Sequence, residues 1–398
     1  MKIQKNNLAE LAKLVRYFIL KSTTAAGSGH ATSSLSATDL MTTLMFGGFF
    51  KAELDDPKNI NNDRLIFSKG HASPLFYALY AVAGKVSEDE LMTLRKFGSK
   101  LEGHPTMAFP YTEAATGSLG QGLSVGVGMA LNAKLDNLDY KTFVLLGDSE
   151  MAEGSNWEAL QIASHYKLNN LIGILDVNGL GQRGETMYGH DVKEYEKRVK
   201  AFGWDVIVVD GHNCAQISKA FKKSRNQEIK PTMIIAKTVK GKGVSFLENK
   251  EGWHGRALSA EELGKALGEL GEVDTKIRGN VLMPTKMTNV KFPMSNQIQI
   301  SNDKYQIGEK VATRKAYGNA LVKIFPKHQN MVVLDAETSN STYAEIFKKE
   351  YPERFLEMYI AEQNMVGAAL GLSRRGKIPF VSTFAAFFSR AFDQIRMS

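Results

Sequence analysis

Apolar positions change their spacing along this chain, and each change marks an element. Leu8, Leu11, Leu14, Val15, Phe18 and Ile19 recur at helical intervals and predict an amphipathic helix through Ser22. Short unbroken apolar runs follow over 143–146, 171–175, 206–209 and 233–236. Runs of this length predict strands buried on both faces. Their alternation with helical patterns through about residue 240 predicts stacked βα units on a parallel sheet. Ser87 and Glu90 have the spacing of a capping box at a helix start. From about Met283 to Tyr305 the periodicity stops, and Pro284, Pro293 and many Asn, Gln, Ser and Lys predict a surface linker. The pattern then resumes with a helix over 312–324, a strand over 331–334 and a helix from Tyr343. A helix over 362–372, a strand over 379–382 and a helix over 387–397 complete it. The fold class expected is α/β, a doubly wound parallel sheet followed by an incomplete second α/β domain of the same fold. The expected division is 1–282, a linker over 283–308, and a partial domain over 309–398.

Composition narrows the function classes. A length of 398 residues suits two to three domains, at roughly 150 residues each. Hydrophobic residues make up 43% of the chain and glycines number 35, in keeping with a large core and many tight turns. The net charge of +8 is scattered, which favours small anionic substrates. No basic stripe or aromatic-interleaved motif supports a nucleic-acid partner. Cys214 is the only cysteine, so an internal disulfide or cysteine metal cluster is excluded and a reducing compartment is the natural reading. The longest apolar stretch near the start, 17–20, is too short for a signal core or a membrane span. A cytoplasmic protein with no membrane partner is expected.

The candidate chemistry lies where the strands end. Asp148 follows the run 142–147 and Asn178 the run 171–177. In an open α/β sheet, ligands collect beyond the carboxyl ends of the strands. A carboxylate and an amide oxygen meeting there suit Mg²⁺ or Ca²⁺, which also neutralise phosphates. The plainer reading is an Asp capping a helix that begins near Glu150, and an Asn in a turn. Gly117-Ser118-Leu119-Gly120-Gln121-Gly122 precedes a small-residue helix over 124–133, where free N–H groups favour phosphate and Gly126 and Gly128 allow close packing. His30, His71, His104 and His254 each sit in a glycine-containing loop, four of the eight histidines. Glu362 opens an apolar helix, where a dipole contact is the bland alternative.

Taken in order, these motifs resemble a transketolase. They are Ala25-Ala26-Gly27-Ser28-Gly29-His30, Ser68-Lys69-Gly70-His71, Gly103-His104-Pro105, Ala115 to Gly122, the Asp148/Asn178 pair, Trp253-His254-Gly255, Ala312 to Tyr317 and Ala361-Glu362-Gln363-Asn364. The similarity runs through essentially the whole chain and looks closest to the animal-type branch. It implies thiamine diphosphate as cofactor, with Mg²⁺ or Ca²⁺ bound by Asp148, Asn178 and Leu180. Gly117, Ser118, Leu119, Gly147, Asp148, Gln182, Lys240, Phe384 and Phe387 are the implied cofactor contacts, with Phe387 the first choice for stacking on the aminopyrimidine. Glu362 would activate the cofactor at the aminopyrimidine N1′. His30, His71, His104 and His254 would serve proton transfer. His30, Ser33, Lys69, His254, Arg314 and Ser341 would meet sugar-phosphate substrates.

The implied reaction is transfer of a two-carbon ketol unit from a ketose phosphate such as xylulose 5-phosphate to an aldose phosphate, ribose 5-phosphate or erythrose 4-phosphate, in the pentose phosphate pathway. The resemblance further implies a homodimer whose active site is shared between protomers. Alternatives are a dihydroxyacetone-synthase-like or 1-deoxyxylulose-5-phosphate-synthase-like enzyme, or a non-catalytic fragment or subunit whose partner chain supplies the C-terminal part. Ala31 stands where the family has proline, and Ser149 where it has glycine, which requires a negative φ at Ser149. The chain also ends soon after Asp393-Gln394-Ile395-Arg396, so the rest of the second domain and a third domain are expected to be absent.

Overall fold

Unbroken apolar runs form the centre of a parallel sheet because helices cover both of its faces. The computed structural model describes residues 7–285 and 305–398, so the first six residues and most of the expected linker lie outside the described residues. The first sheet contains β1 (Arg64–Phe67), β2 (Thr142–Gly147), β3 (Leu171–Val177), β4 (Asp205–Asp210) and β5 (Thr232–Lys237). All pairs are parallel, in the order β1-β2-β3-β5-β4. Every residue of β2 and β3 is buried, whereas β4, at an edge, alternates in exposure. Sequence pattern did not signal β1, a four-residue strand that opens on an arginine.

The second sheet has β6 (Met331–Asp335), β7 (Phe355–Glu357) and β8 (Ile378–Ser382), in the parallel order β7-β6-β8. β7 was also missed, being only three residues long. Pro379 lies in β8 at the sheet's edge, the position where a residue without an N–H is tolerated.

Register places the chemistry. Phe67 stands opposite Leu145, Gly147 opposite Asp176, and Val177 opposite Lys237. Lys69, Asp148, Asn178 and Thr238 therefore emerge along one carboxyl edge of the first sheet.

Two hydrophobic clusters enclose that sheet. Leu14, Ile19, Leu40, Met41 and Phe76 pack on Phe143, Ile172 and Ile234 from one side. On the other, Leu123, Val127, Leu160, Val144 and Leu175 join Met365, Ala368, Val332 and Leu334 in one core that runs into the second sheet. The seam is built from small residues on helices Gly122–Leu135 and Glu362–Ser373. A Cβ at Gly128 would sit 2.0 Å from the Ala368 carbonyl oxygen, and one at Gly371 would sit 2.1 Å from the Val125 carbonyl oxygen. Gly126 faces the sheet instead, against Val144.

Three helix expectations change. The helix expected from Glu150 starts at Gly154, after a 3-10 turn over Ser149–Ala152. The helix expected from Tyr343 is two short helices, Ser339–Thr342 and Glu345–Glu350, split because Tyr343 is left-handed at φ 62°. The segment 387–397 is divided by a 3-10 turn over Ser389–Ala391. Ser149 is not among the residues with positive φ, so its Cβ is accommodated. Ser87 accepts the Glu90 N–H as expected; the reciprocal capping box forms at Ser259 and Glu262.

Candidate active site

Strand ends bring Asp148 and Asn178 to the same edge, and a short loop binds them together. Asp148 accepts the Gly179 N–H at 2.7 Å, the Ser149 N–H at 2.9 Å and the Thr186 hydroxyl at 3.4 Å. Gly179 meets this geometry at φ 75°, with the His190 ring 3.0 Å from where a Cβ would be. Asn178 Oδ1 accepts the Leu180 N–H at 3.2 Å. All of Asp148's hydrogen-bond donors are neutral. Burial, reinforced by Asp176, pushes its carboxyl up to about 6. A buried carboxylate short of positive charge, beside an amide oxygen and a peptide carbonyl, fits a hard divalent cation. Among the described residues there is no group of three or more His, Cys, Asp or Glu able to hold a metal, so a cation here would need these mixed oxygen donors.

Lys240 lies at the same edge. Its ammonium donates to the Leu180 carbonyl at 2.8 Å and the Gly181 carbonyl at 2.9 Å, and lies 3.0 Å from His254 Nδ1. Burial and the Lys69 charge bring it down to about 8. Gly147 ends β2, where its N–H donates to Glu150. Gln182 does not turn inward; it is exposed in the loop beyond Leu180.

Two buried acids that sequence reasoning passed over organise this edge. Asp176 accepts from Lys69 Nζ at 2.5 Å, from Ser36 at 2.6 Å, and from Thr238. Burial raises its carboxyl, but Lys69 and the hydroxyl donors outweigh that and hold it below the usual range. Lys69 also reaches the carbonyl of the buried Ser33, at 3.1 Å. Glu150 is turned inward, accepting from Gly120 N–H at 2.8 Å, Gly147 N–H at 3.0 Å and the Ser68 hydroxyl. An aspartate inside the apolar run 171–177 was a readable signal of a buried partner.

The four loop histidines converge. The His30 ring lies 4.9 Å from His254, 5.2 Å from His71 and 6.3 Å from His104, centroid to centroid. His71 and His254 are 5.5 Å apart. Gly117 packs beneath His104 at φ 132°, a conformation that L side chains rarely adopt; a Cβ there would come within 3.0 Å of the imidazole. Burial lowers all four imidazoles, taking His30 to about 4 and His254 to about 3; their mutual charges and Lys69, Lys240 and Arg95 add to it. The cluster is neutral at pH 7. Its contribution to stability is fully present above the ordinary imidazole value of 6.5 and is lost as pH falls towards 4 and below. Imidazole C2–H resonances of His30 and His254 are expected to titrate below about pH 5, and a midpoint near 6.5 for either would contradict this.

The second unit holds the remaining candidates. Glu362 begins helix Glu362–Ser373 almost fully buried, with Arg390 Nη1 at 3.4 Å. Phe384 and Phe387 stand 5.3 Å apart and stay partly exposed, at 43% and 39%. Arg314, whose Nη1 is 3.5 Å from the Ser341 carbonyl, lines with Ser341, Tyr317, Ser382 and Phe384 a cleft of about 640 Å³. Asp148 and Glu362 share no hydrogen-bond partner among the described residues. The two units do meet at Ser118, whose hydroxyl and the Gln121 amide both donate to Asp393. Leu119, between them, is half-buried.

The structure thus groups the candidates into two sets, one in each of the two segments that known domain families match. The profile of the transketolase thiamine diphosphate binding domain matches residues 8–297, and that of the transketolase pyrimidine binding domain matches residues 309–398. Human transketolase is 46% identical over 393 residues, covering 98% of this chain and 62% of that protein. Human transketolase-like protein 2 is 44% identical over 398 residues, with the same coverage of each. The chain therefore spans less than two thirds of the length of these curated relatives. Among solved structures, transketolase from Campylobacter jejuni superposes with a TM-score of 0.84 at 28% identity, covering 100% of this chain and 68% of the other. Transketolase from Leishmania mexicana gives 0.84 at 25% identity, covering 99% and 67%. With both domain profiles matched in order across the strand-end edge and the buried Glu362, the chain belongs to the transketolase family of thiamine diphosphate enzymes.

Proposed function

We propose that this chain carries the cofactor and donor sites of a ketol transferase, taking a two-carbon unit from a ketose phosphate to an aldose phosphate. The observation that supports it most is the quartet of neutral imidazoles beside the Asp148 edge. Cleaving a carbon–carbon bond next to hydroxyls needs groups that accept and return protons near neutral pH. Each neutral imidazole offers one N–H donor and one bare acceptor nitrogen, which suits hydrogen bonds to sugar hydroxyls and short proton relays among them.

Thiamine diphosphate, when bound, supplies the carbon nucleophile for this chemistry. Asp148, Asn178 and the Leu180 carbonyl would hold its divalent counter-ion, with Lys240 and the Gly117–Leu119 turn against the diphosphate. Glu362, buried at a helix N-terminus, would keep a proton at a ring nitrogen of the pyrimidine. Phe384 and Phe387 offer faces on which that ring stacks. Arg314 and Ser341 would take the sugar phosphate through charge-assisted hydrogen bonds. His30, His71, His104 and His254, with Lys69 and Ser33 behind them, would line the sugar hydroxyls.

Asp148 and Glu362 share no hydrogen-bond partner among the described residues, and the reading places them on one cofactor across two copies. The test mixes Asp148→Ala with Glu362→Gln in an assembly that transfers ketol units from xylulose 5-phosphate to ribose 5-phosphate. Each variant alone is expected to be inactive, and the mixture to recover part of the activity. Heterodimers that form and remain inactive would refute the shared site. Absence of transfer in the unmutated assembly, with thiamine diphosphate and Mg²⁺ present, would refute the activity.

A further inference from the structure

The loop bearing Lys240 is tied to the amino-terminal helices by side chains outside the set described above. Asp39, on helix Thr38–Phe46, accepts from Arg16 Nη2 at 2.7 Å and from His212 Nδ1 at 2.8 Å. The other nitrogen of His212, Nε2, accepts the Val239 N–H at 2.9 Å. Val239 directly precedes Lys240. Arg16 reaches the same loop through Nε, which donates to the Lys242 carbonyl at 3.1 Å. Glu248 closes its far side, accepting the Gly243 N–H at 3.0 Å and pairing with Lys242 at 3.2 Å.

These bonds allow one state of the imidazole. A ring nitrogen that accepts a backbone N–H carries no hydrogen, so His212 is neutral with its hydrogen on Nδ1. That hydrogen is what the Asp39 carboxylate accepts. Burial pushes the Asp39 carboxyl up, but the His212 hydrogen bond and the Arg16 charge prevail and hold it below the usual range. The ion pair fixes the tautomer, and the tautomer leaves Nε2 free to hold Val239.

We propose that His212 is a positioning residue for Lys240. The Arg16–Asp39 pair orients its imidazole, the imidazole anchors the Val239 N–H, and Lys240 is thereby held over the Leu180 and Gly181 carbonyls. One residue further on, the ammonium makes its three contacts at 2.8, 2.9 and 3.0 Å, all of which depend on where the backbone at Val239 sits. The consequence for cofactor binding rests on the proposed contact of Lys240 with a diphosphate; the anchoring itself does not.

Three measurements on the described chain test it. Long-range ¹⁵N spectra of the parent should show His212 with a protonated Nδ1 and a bare Nε2; the opposite tautomer would overturn the proposal. Lysine acetylation read by mass spectrometry should find Lys240 protected in the parent, where it is 3% exposed. In His212→Ala it should react roughly tenfold faster, about the effect of one lost backbone hydrogen bond. His212→Gln keeps an acceptor near the place of Nε2, so Lys240 should stay protected; equal labelling in all three proteins, or Gln behaving as Ala, would overturn the proposal. Calorimetric affinity for thiamine diphosphate with Mg²⁺ should fall roughly tenfold in His212→Ala and recover in His212→Gln. A parent that binds no thiamine diphosphate refutes the functional reading instead, while the tautomer and labelling still decide the anchoring. If His212→Ala fails to fold, the parent spectrum and the Gln variant decide it.

Discussion

Replacing Asp148 by alanine is expected to abolish metal-dependent binding of thiamine diphosphate. Unlike Asp176, which is paired with Lys69, Asp148 takes only neutral donors, two backbone N–H groups and a hydroxyl. Without it, a divalent cation would have only neutral oxygens, and a diphosphate would enter without a counter-ion. Calorimetry should show no Mg²⁺-dependent heat with the variant; unchanged affinity would refute the assignment. The same carboxyl also makes the stability of the metal-free chain depend on pH. Burial raises the Asp148 carboxyl to about 6 from 3.8, so its favourable contribution is complete below pH 3.8 and lost as pH rises through 6. At pH 7 ionisation costs on the order of 3 kcal/mol relative to the protonated carboxyl, whereas Asp148→Ala removes that cost but leaves the Gly179 and Ser149 N–H groups without their acceptor. The metal-free parent should therefore lose stability as pH rises through 6, and Asp148→Ala should lose that pH dependence, read as melting temperature against pH.

Glu362→Gln is expected to lower turnover on the order of 10²- to 10⁴-fold, the range for loss of an acid–base group. The substitution keeps size and hydrogen-bonding capacity at a nearly buried position, so helix Glu362–Ser373 should survive it. What it removes is a carboxyl able to hold a proton at the pyrimidine. C2–H exchange of bound thiamine diphosphate, followed by NMR, is the direct readout and should slow by a similar factor. Cofactor affinity should change much less, since Asp148 and Lys240 are untouched. Equal exchange rates in parent and variant would rule out this role for Glu362.

Legibility of the site followed the range of the interactions involved. Asp148 and Asn178 were readable because each ends an apolar run, and parallel strands deliver such residues to one edge. Glu150 was misread as a helix start because its sequence neighbourhood is polar. Only the packed structure shows three separate segments, at Ser68, Gly120 and Gly147, supplying its donors. His212 gave no signal, since its partners Asp39 and Val239 lie 173 and 27 residues away along the chain.

What the sequence determined alone was local: the β2 and β3 runs, the glycine turn before Gly122, and the placement of four histidines in loops. Periodicity and backbone conformation depend on near neighbours, so they survive in one dimension. The short strands β1 and β7 were decided by tertiary structure, because three or four residues become a strand only when a neighbour supplies the hydrogen bonds. So was the convergence of His30, His71, His104 and His254, whose separation along the chain is closed only by packing the loops over one edge. The titration of these groups belongs to the fold as well. Burial and the charges of Lys69 and Lys240 set it, and neither exists until the sheet has brought those residues together.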